Sequence, residues 1–222
     1  MAASSRFRLT AGGMLMAGFA AFVLAACAAP NATEDPSRQT GRRSLSPEAE
    51  PGACPAPGTE IATSLGVTLK FAAREGLVCS LTTSASDRYQ TFGLVTQVNS
   101  MNYAADKEAI ATLWPLTVGK TVRFTAKRGS YEWIAAYTVT EKKDIIVKAG
   151  TFPVYVVVYE ETQTSKKIAP SHSDIYHSVW TFYISTDVGF FVKMDYESIS
   201  GGPSAYYPHT PWEAVSITPP PN

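Results

Sequence analysis

KTVRFTAKRGSYEWIAAYTV, residues 120–139, decides the fold class. Val122, Phe124 and Ala126 share one parity, and Thr121, Arg123, Thr125 and Lys127 the other. After the turn Arg128-Gly129-Ser130, residues Tyr131, Trp133, Ala135, Tyr137 and Val139 take up the pattern again. Strand side chains point alternately to opposite faces, so this period-two pattern predicts two half-buried antiparallel strands. The alternation returns in Phe190, Val192, Met194 and Tyr196, set against Phe191, Lys193, Asp195 and Glu197. Residues 152–159 are apolar on both faces, which suits a central strand, with Pro153 near its start where a missing N–H costs least. The aromatic segment 175–184 is its expected neighbour.

Turns are expected at Glu141–Asp144, Ala149-Gly150, Ser165–Asp174 and Thr186–Gly189, and earlier strands near 59–73, 77–84 and 88–98. One short helix interrupts them. Ala104–Leu113 is rich in Ala, Glu and Lys, with Asn102 as candidate cap and Pro115 as stop; Ile110, Leu113 and Trp114 form one stripe. There is no internal repeat. The fold expected is mainly β: a single curved antiparallel sheet, an open half-barrel, with one short helix.

The N-terminus has a different character. Arg6 and Arg8 precede an apolar run from Leu9 to Ala26, as in a secretory signal. The run ends in Leu24-Ala25-Ala26-Cys27, which resembles the lipobox of bacterial lipoproteins, in which the Cys thiol is acylated and becomes the new N-terminus. A retained membrane helix is the first alternative, but about 18 residues with three Gly is marginal for a ~30 Å core. The second is an ordinary signal peptide that leaves Cys27 as a spare thiol. Ala28 after the Cys, by resemblance to enterobacterial sorting, implies an outer-membrane lipoprotein facing the periplasm.

Removing residues 1–26 from the 222 leaves 196. Basic and acidic residues balance at 19 each, and loss of Arg6 and Arg8 brings the remainder to −2. That is no footprint for nucleic acid. Residues 27–58 hold the lipidated Cys and six Pro, with little aliphatic content, and read as a flexible tether. Residues 59–218 form the β-rich periplasmic domain. With Cys27 lipidated, Cys54 and Cys79 remain, and two thiols in an oxidising compartment usually pair. On the chain-entropy account such a bridge stabilises by roughly 3–4 kcal/mol. Two unrelated thiols are the alternative; a CxxC redox pair is excluded by the spacing.

Four landmarks then carry a resemblance: Leu113-Trp114-Pro115-Leu116 with Gly119-Lys120, Val147–Phe152, Trp180 with Tyr183, and Asp187–Lys193. They resemble a group of poorly characterised bacterial envelope lipoproteins with a half-barrel-like domain, similar in outline to the carriers LolA and LolB. The resemblance covers about residues 58–200 and implies a fold. It brings no catalytic residues with it, and fold alone does not imply function.

Chemistry-bearing motifs are sparse. His172, His177 and His209 lack zinc-site spacing, no GxSxG elbow accompanies Ser171-His172-Ser173-Asp174, and Gly201–Ser204 reads as a loop. Asp187 and Asp195 are turn and wet-face residues. No catalytic residue, metal ligand or cofactor is assigned. The 11 Tyr, 10 Phe and 4 Trp are the strongest compositional signal. An inward aromatic face is either core or the lining of an apolar ligand site. Phe124, Trp133, Tyr137, Val192 and Met194 are the candidate ligand residues, expected with Val122 on one face toward Ile110 and Leu113. The leading expectation is a non-enzymatic lipoprotein that binds an apolar ligand, lipid or envelope protein partner. A structural or assembly lipoprotein is the second, and an envelope hydrolase the third. Counting reversals also places Lys142-Lys143, Lys166-Lys167 and His172 at one end of the sheet as a basic rim facing the membrane or an acidic partner, with Arg128, Gly150 and Gly189 at the other.

Overall fold

The computed structural model describes residues 54–85, 87–96, 103–129, 131–164, 176–203 and 208–220. The expected signal, Cys27, most of the tether, Asn102, Lys166-Lys167 and His172 lie outside them.

Eleven strands and one helix follow in chain order. They are β1 (Glu60–Thr63), β2 (Thr68–Glu75), β3 (Val78–Thr83), β4 (Arg88–Phe92), β5 (Val95–Thr96), α1 (Ala104–Leu113) and β6 (Thr121–Arg128). Then come β7 (Tyr131–Val147), β8 (Gly150–Gln163), β9 (His177–Ser185), β10 (Phe190–Ser200) and β11 (Trp212–Thr218). All strands belong to one sheet, ordered β5-β4-β3-β2-β1-β11-β10-β9-β8-β7-β6, with every described pairing antiparallel. It is a large open sheet, as the alternation predicts.

β11 joins the two halves. Its residues 214–218 pair with β1, while Trp212 and Glu213 face Met194 and Lys193 of β10. The sheet then curls on itself. Phe71 of β2 meets Phe190 of β10 edge-on at 5.0 Å, although two strands separate β2 from β10 in the sheet. Helix α1 lies between the β4–β5 turn and β6. A Cβ at Gly93, in the β4–β5 turn, would stand 2.7 Å from Cγ2 of Ile110, while Asp106 of the same helix pairs with Arg128 of β6. Ile110 and Leu113 are fully buried, so the expected stripe faces the interior. The residue before the helix is Tyr103, which makes no side-chain cap. No helix of the described residues is long and apolar enough to cross a membrane.

Two sequence expectations are corrected here. The turn at Glu141–Asp144 does not exist: β7 runs unbroken through it, with a bulge between Val139 and Glu141, to a reversal at Lys148-Ala149. The reason is local. β6 pairs only as far as Thr138, so Glu141–Lys143 form a free edge beside β8 residues that pair with β9, and past Val154 the strands Asp144–Val147 and Gly150–Pro153 continue as a two-stranded ribbon. A charged run wet on both faces is compatible with a strand there. With that reversal gone the parity fails: Gly150 and the β9–β10 turn at Gly189 lie toward the Lys142-Lys143 end of the sheet, and Arg128, paired with Tyr131, lies at the other. The second correction is β11, which the alternation did not reveal.

The start of the fold is held covalently. Cys54 and Cys79 form a disulfide with their Cα atoms 5.7 Å apart. Cys54 is buried and its carbonyl lies under the β9–β10 turn, so residues 54–58 at the end of the expected tether belong to the folded unit.

Candidate functional site

Between the inner faces of β1–β4 and β9–β11 lies a cleft of about 280 Å³. Leu69, Leu81 and Leu94 form one wall, and Phe182, Phe190, Phe191 and Met194 the other. Leu65, in the β1–β2 turn, is 48 % exposed, and it lines the cleft together with Pro208 and Trp212. The alternation that builds strands thus also builds the cleft, because residues two apart on β3 and β4 share its face.

No charged side chain among the described residues lines it. The polar lining is three threonines and Tyr89. Thr63 donates its hydroxyl to the carbonyl of Val67 at 2.9 Å. The hydroxyls of Thr83 and Thr91 are buried with no hydrogen-bond partner. Tyr89 donates its hydroxyl to Asp87 Oδ2 at 3.4 Å; desolvation and then the Asp87 charge raise its pKa. Such a site can accommodate an apolar chain.

A second cluster lies under α1. Arg128 Nη2 donates to Asp106 Oδ1 at 2.7 Å and to the Tyr159 hydroxyl at 2.9 Å, with Glu161 Oε2 at 3.4 Å. The Tyr159 hydroxyl in turn donates to Glu161 Oε2 at 2.7 Å. All three charged side chains are buried. The guanidinium carbon also stands 5.9 Å from the Tyr103 ring and 6.0 Å from the Trp133 ring. Burial first, and then the Glu161 charge, hold the Tyr159 pKa well above its ordinary value. This cluster fastens the helix to the sheet and is shut from solvent, so it reads as structural.

The expected ligand residues divide accordingly. Phe124 and Tyr137 stack at 5.6 Å, and Tyr137 begins a row of register partners, Tyr137–Tyr159–Trp180–Tyr196, with ring centroids 4.5, 5.3 and 5.0 Å apart. Trp133 packs beside Arg128. Trp133 and Tyr137 are buried core and Phe124 packs half-buried against it, so none of the three lines the cleft. Met194 does line the cleft. Val192 is the extra residue of a β-bulge, where Phe191 opposes Ile184 and Lys193 opposes Tyr183. It is fully buried, and Phe191 joins Met194 at the cleft in its place. The strict alternation expected for 190–196 therefore breaks at that bulge.

His177 pairs with Glu160 at 2.7 Å, and His209 packs on Tyr196 at 5.8 Å. Asp195 accepts from the Tyr183 hydroxyl at 3.0 Å. Desolvation, followed by that hydrogen bond, pushes the Tyr183 pKa up to about 12. Among the described residues no cluster of His, Cys, Asp and Glu could hold a metal ion.

The fold and cleft define a curled, open β-sheet protein with an uncharged internal groove. No family model matches the chain, and no curated protein matches it. Solved structures similar to it include the lipoprotein YmcC of Escherichia coli K12, described as hypothetical, at 10 % identity and a TM-score of 0.44, covering 76 % of this chain and 89 % of that one. A protein of Bacteroides fragilis, provisionally described as exported and of YmcC-like fold, is 11 % identical with a TM-score of 0.39, over 76 % and 99 % of the two chains. A provisionally described lipoprotein of Parabacteroides distasonis is 10 % identical with a TM-score of 0.40, over the same shares of 76 % and 99 %. At this level of similarity they bear on neither activity nor partner.

Proposed function

We propose that this protein is a non-enzymatic lipoprotein of the bacterial envelope, anchored through Cys27, whose β-domain holds a small apolar ligand or one acyl chain in the cleft. The observation that carries the reading is the cleft itself: about 280 Å³, walled by Leu, Phe and Met, with no charged side chain among the described residues. That volume lies at the lower end of ligand sites in general, which favours a single chain over a whole two-chain lipid. Each buried methylene contributes on the order of 0.8 kcal/mol, and the cost of association is subtracted from the total. Micromolar rather than nanomolar affinity follows. Delivery to the outer membrane, from Ala28, belongs to the same proposal.

The test uses the chain carrying Cys27→Ser, purified without detergent. Extraction and mass spectrometry are expected to recover co-purifying lipid, and a neutral fluorescent probe, N-phenyl-1-naphthylamine, to bind in the micromolar range. Met194→Trp, which fills the cleft, is expected to weaken the probe at least ten-fold. No lipid and no probe binding would leave the structural or assembly reading. That reading draws on Ile146, 84 % exposed near the end of the β7–β8 ribbon.

A further inference from the structure

Alternation along β3 and β4 predicts apolar side chains on their inner face, and two positions depart from it. Thr83 and Thr91 both line the cleft, Thr91 is only 4 % exposed, and the hydroxyl of each is buried without a hydrogen-bond partner. Valine has nearly the same shape and would fill both positions without burying an unmet polar atom. A buried hydroxyl with no partner carries its full desolvation cost in the folded state, and native chains satisfy nearly all such groups. Thr63, on the same lining, shows the ordinary solution, since its hydroxyl donates to Val67. Two unmet hydroxyls on one apolar wall call for an occupant that meets them.

The surroundings narrow its chemistry. Among the described residues no cation lines the cleft to receive a carboxylate or phosphate. The lining residue Tyr89 instead holds the Asp87 carboxylate beside it, which would repel an anionic group nearby. We infer, building on the reading of the cleft as a ligand site, that its ligand is a neutral single-chain amphiphile: an aliphatic chain bearing an uncharged oxygen, as a hydroxyl or an ester carbonyl, that hydrogen-bonds to Thr83 and Thr91. Thr83 and Thr91 line the cleft with hydroxyl oxygens that are buried as they stand. A turn about χ1, which in strands has more than one common well, brings them onto its surface. Each threonine then donates to a carbonyl, or donates to and accepts from a hydroxyl.

Displacement of N-phenyl-1-naphthylamine from the Cys27→Ser chain tests this, with 1-octanol, methyl heptanoate, octane and octanoate as competitors. Adding Thr83→Val and Thr91→Val is expected to weaken 1-octanol or methyl heptanoate about ten-fold, the size of one or two net hydrogen bonds, while octane binds unchanged or more tightly. Retained octane binding reports that the variant is folded. Which of the two oxygen compounds loses affinity separates a hydroxyl ligand from an ester ligand. If the valines shift neither, or if octanoate outcompetes 1-octanol on the native threonines, the assignment is overturned while the cleft reading stands. If no competitor displaces the probe, the cleft reading falls with it.

Discussion

Arg128 shows what a single residue decides in this molecule. It closes β6, where the sequence pattern placed it in the turn Arg128-Gly129-Ser130. Yet it shares the parity of Val122, Phe124 and Ala126, and Glu161 shares that of Tyr159. The alternation therefore pointed both inward; what it could not supply was Asp106 of the helix, which makes the burial tolerable. Removing one partner of a buried ion pair typically costs about 3–5 kcal/mol, because the other charges stay buried. Arg128→Leu is expected to lose stability on that scale, read as a lower denaturant midpoint. Tyr183 gives a prediction in pH. Its pKa is about 12 in the folded chain against 10.0 ordinarily, so the folded state keeps a proton that the unfolded state releases first. The resulting stabilisation is complete below pH 10 and is lost as pH rises toward 12. Tyr183→Phe should flatten the fall in stability over that window, measured by urea titration at several pH values. An unchanged slope would refute the assignment.

Among the elements, the β9–β10 turn is the most constrained. Gly189 has φ +77°, and a Cβ there would come within 2.6 Å of the Cys54 carbonyl oxygen. Gly76, at φ +57°, has open space around it. Gly76→Ala is expected to cost about 1 kcal/mol from backbone strain alone. Gly189→Ala should cost distinctly more, because the segment fixed by the Cys54–Cys79 disulfide cannot retreat from it. Equal losses in thermal or urea unfolding would show that Cys54–Pro55 yields easily. Helix α1 and the β6–β7 hairpin were legible because their periodicities are local. The ribbon of β7 and β8 was misread at Glu141–Asp144, since hydropathy reports exposure and cannot tell a turn from a strand wet on both faces. β11 was missed for a related reason. Glu213, Val215 and Ser216 blur its alternation, and its place between β1 and β10 is fixed by partners far away in the chain.

Across the whole molecule, Cys27→Ser is expected to release the protein from membranes into the soluble envelope fraction, and a processed variant that still pellets with membranes would overturn the lipobox reading. The cleft was legible only in part. Aromatic content announced an inward apolar face, but most of that face is filled by Tyr137, Tyr159, Trp180 and their neighbours. The hollow lies where the N-terminal strands curl over β9–β11, a contact no local pattern encodes. A chain exported from its N-terminus delivers β1–β5 and β6–β10 first, each half ending in an open edge at β1 or β10. The last strand in chain order is the one that lies between those edges. On the proposed export route the chain, until Trp212–Thr218 emerges, would be two unfinished sheets open to proteases and to neighbouring chains, and its safe arrival would depend on how quickly a seven-residue keystone follows the rest.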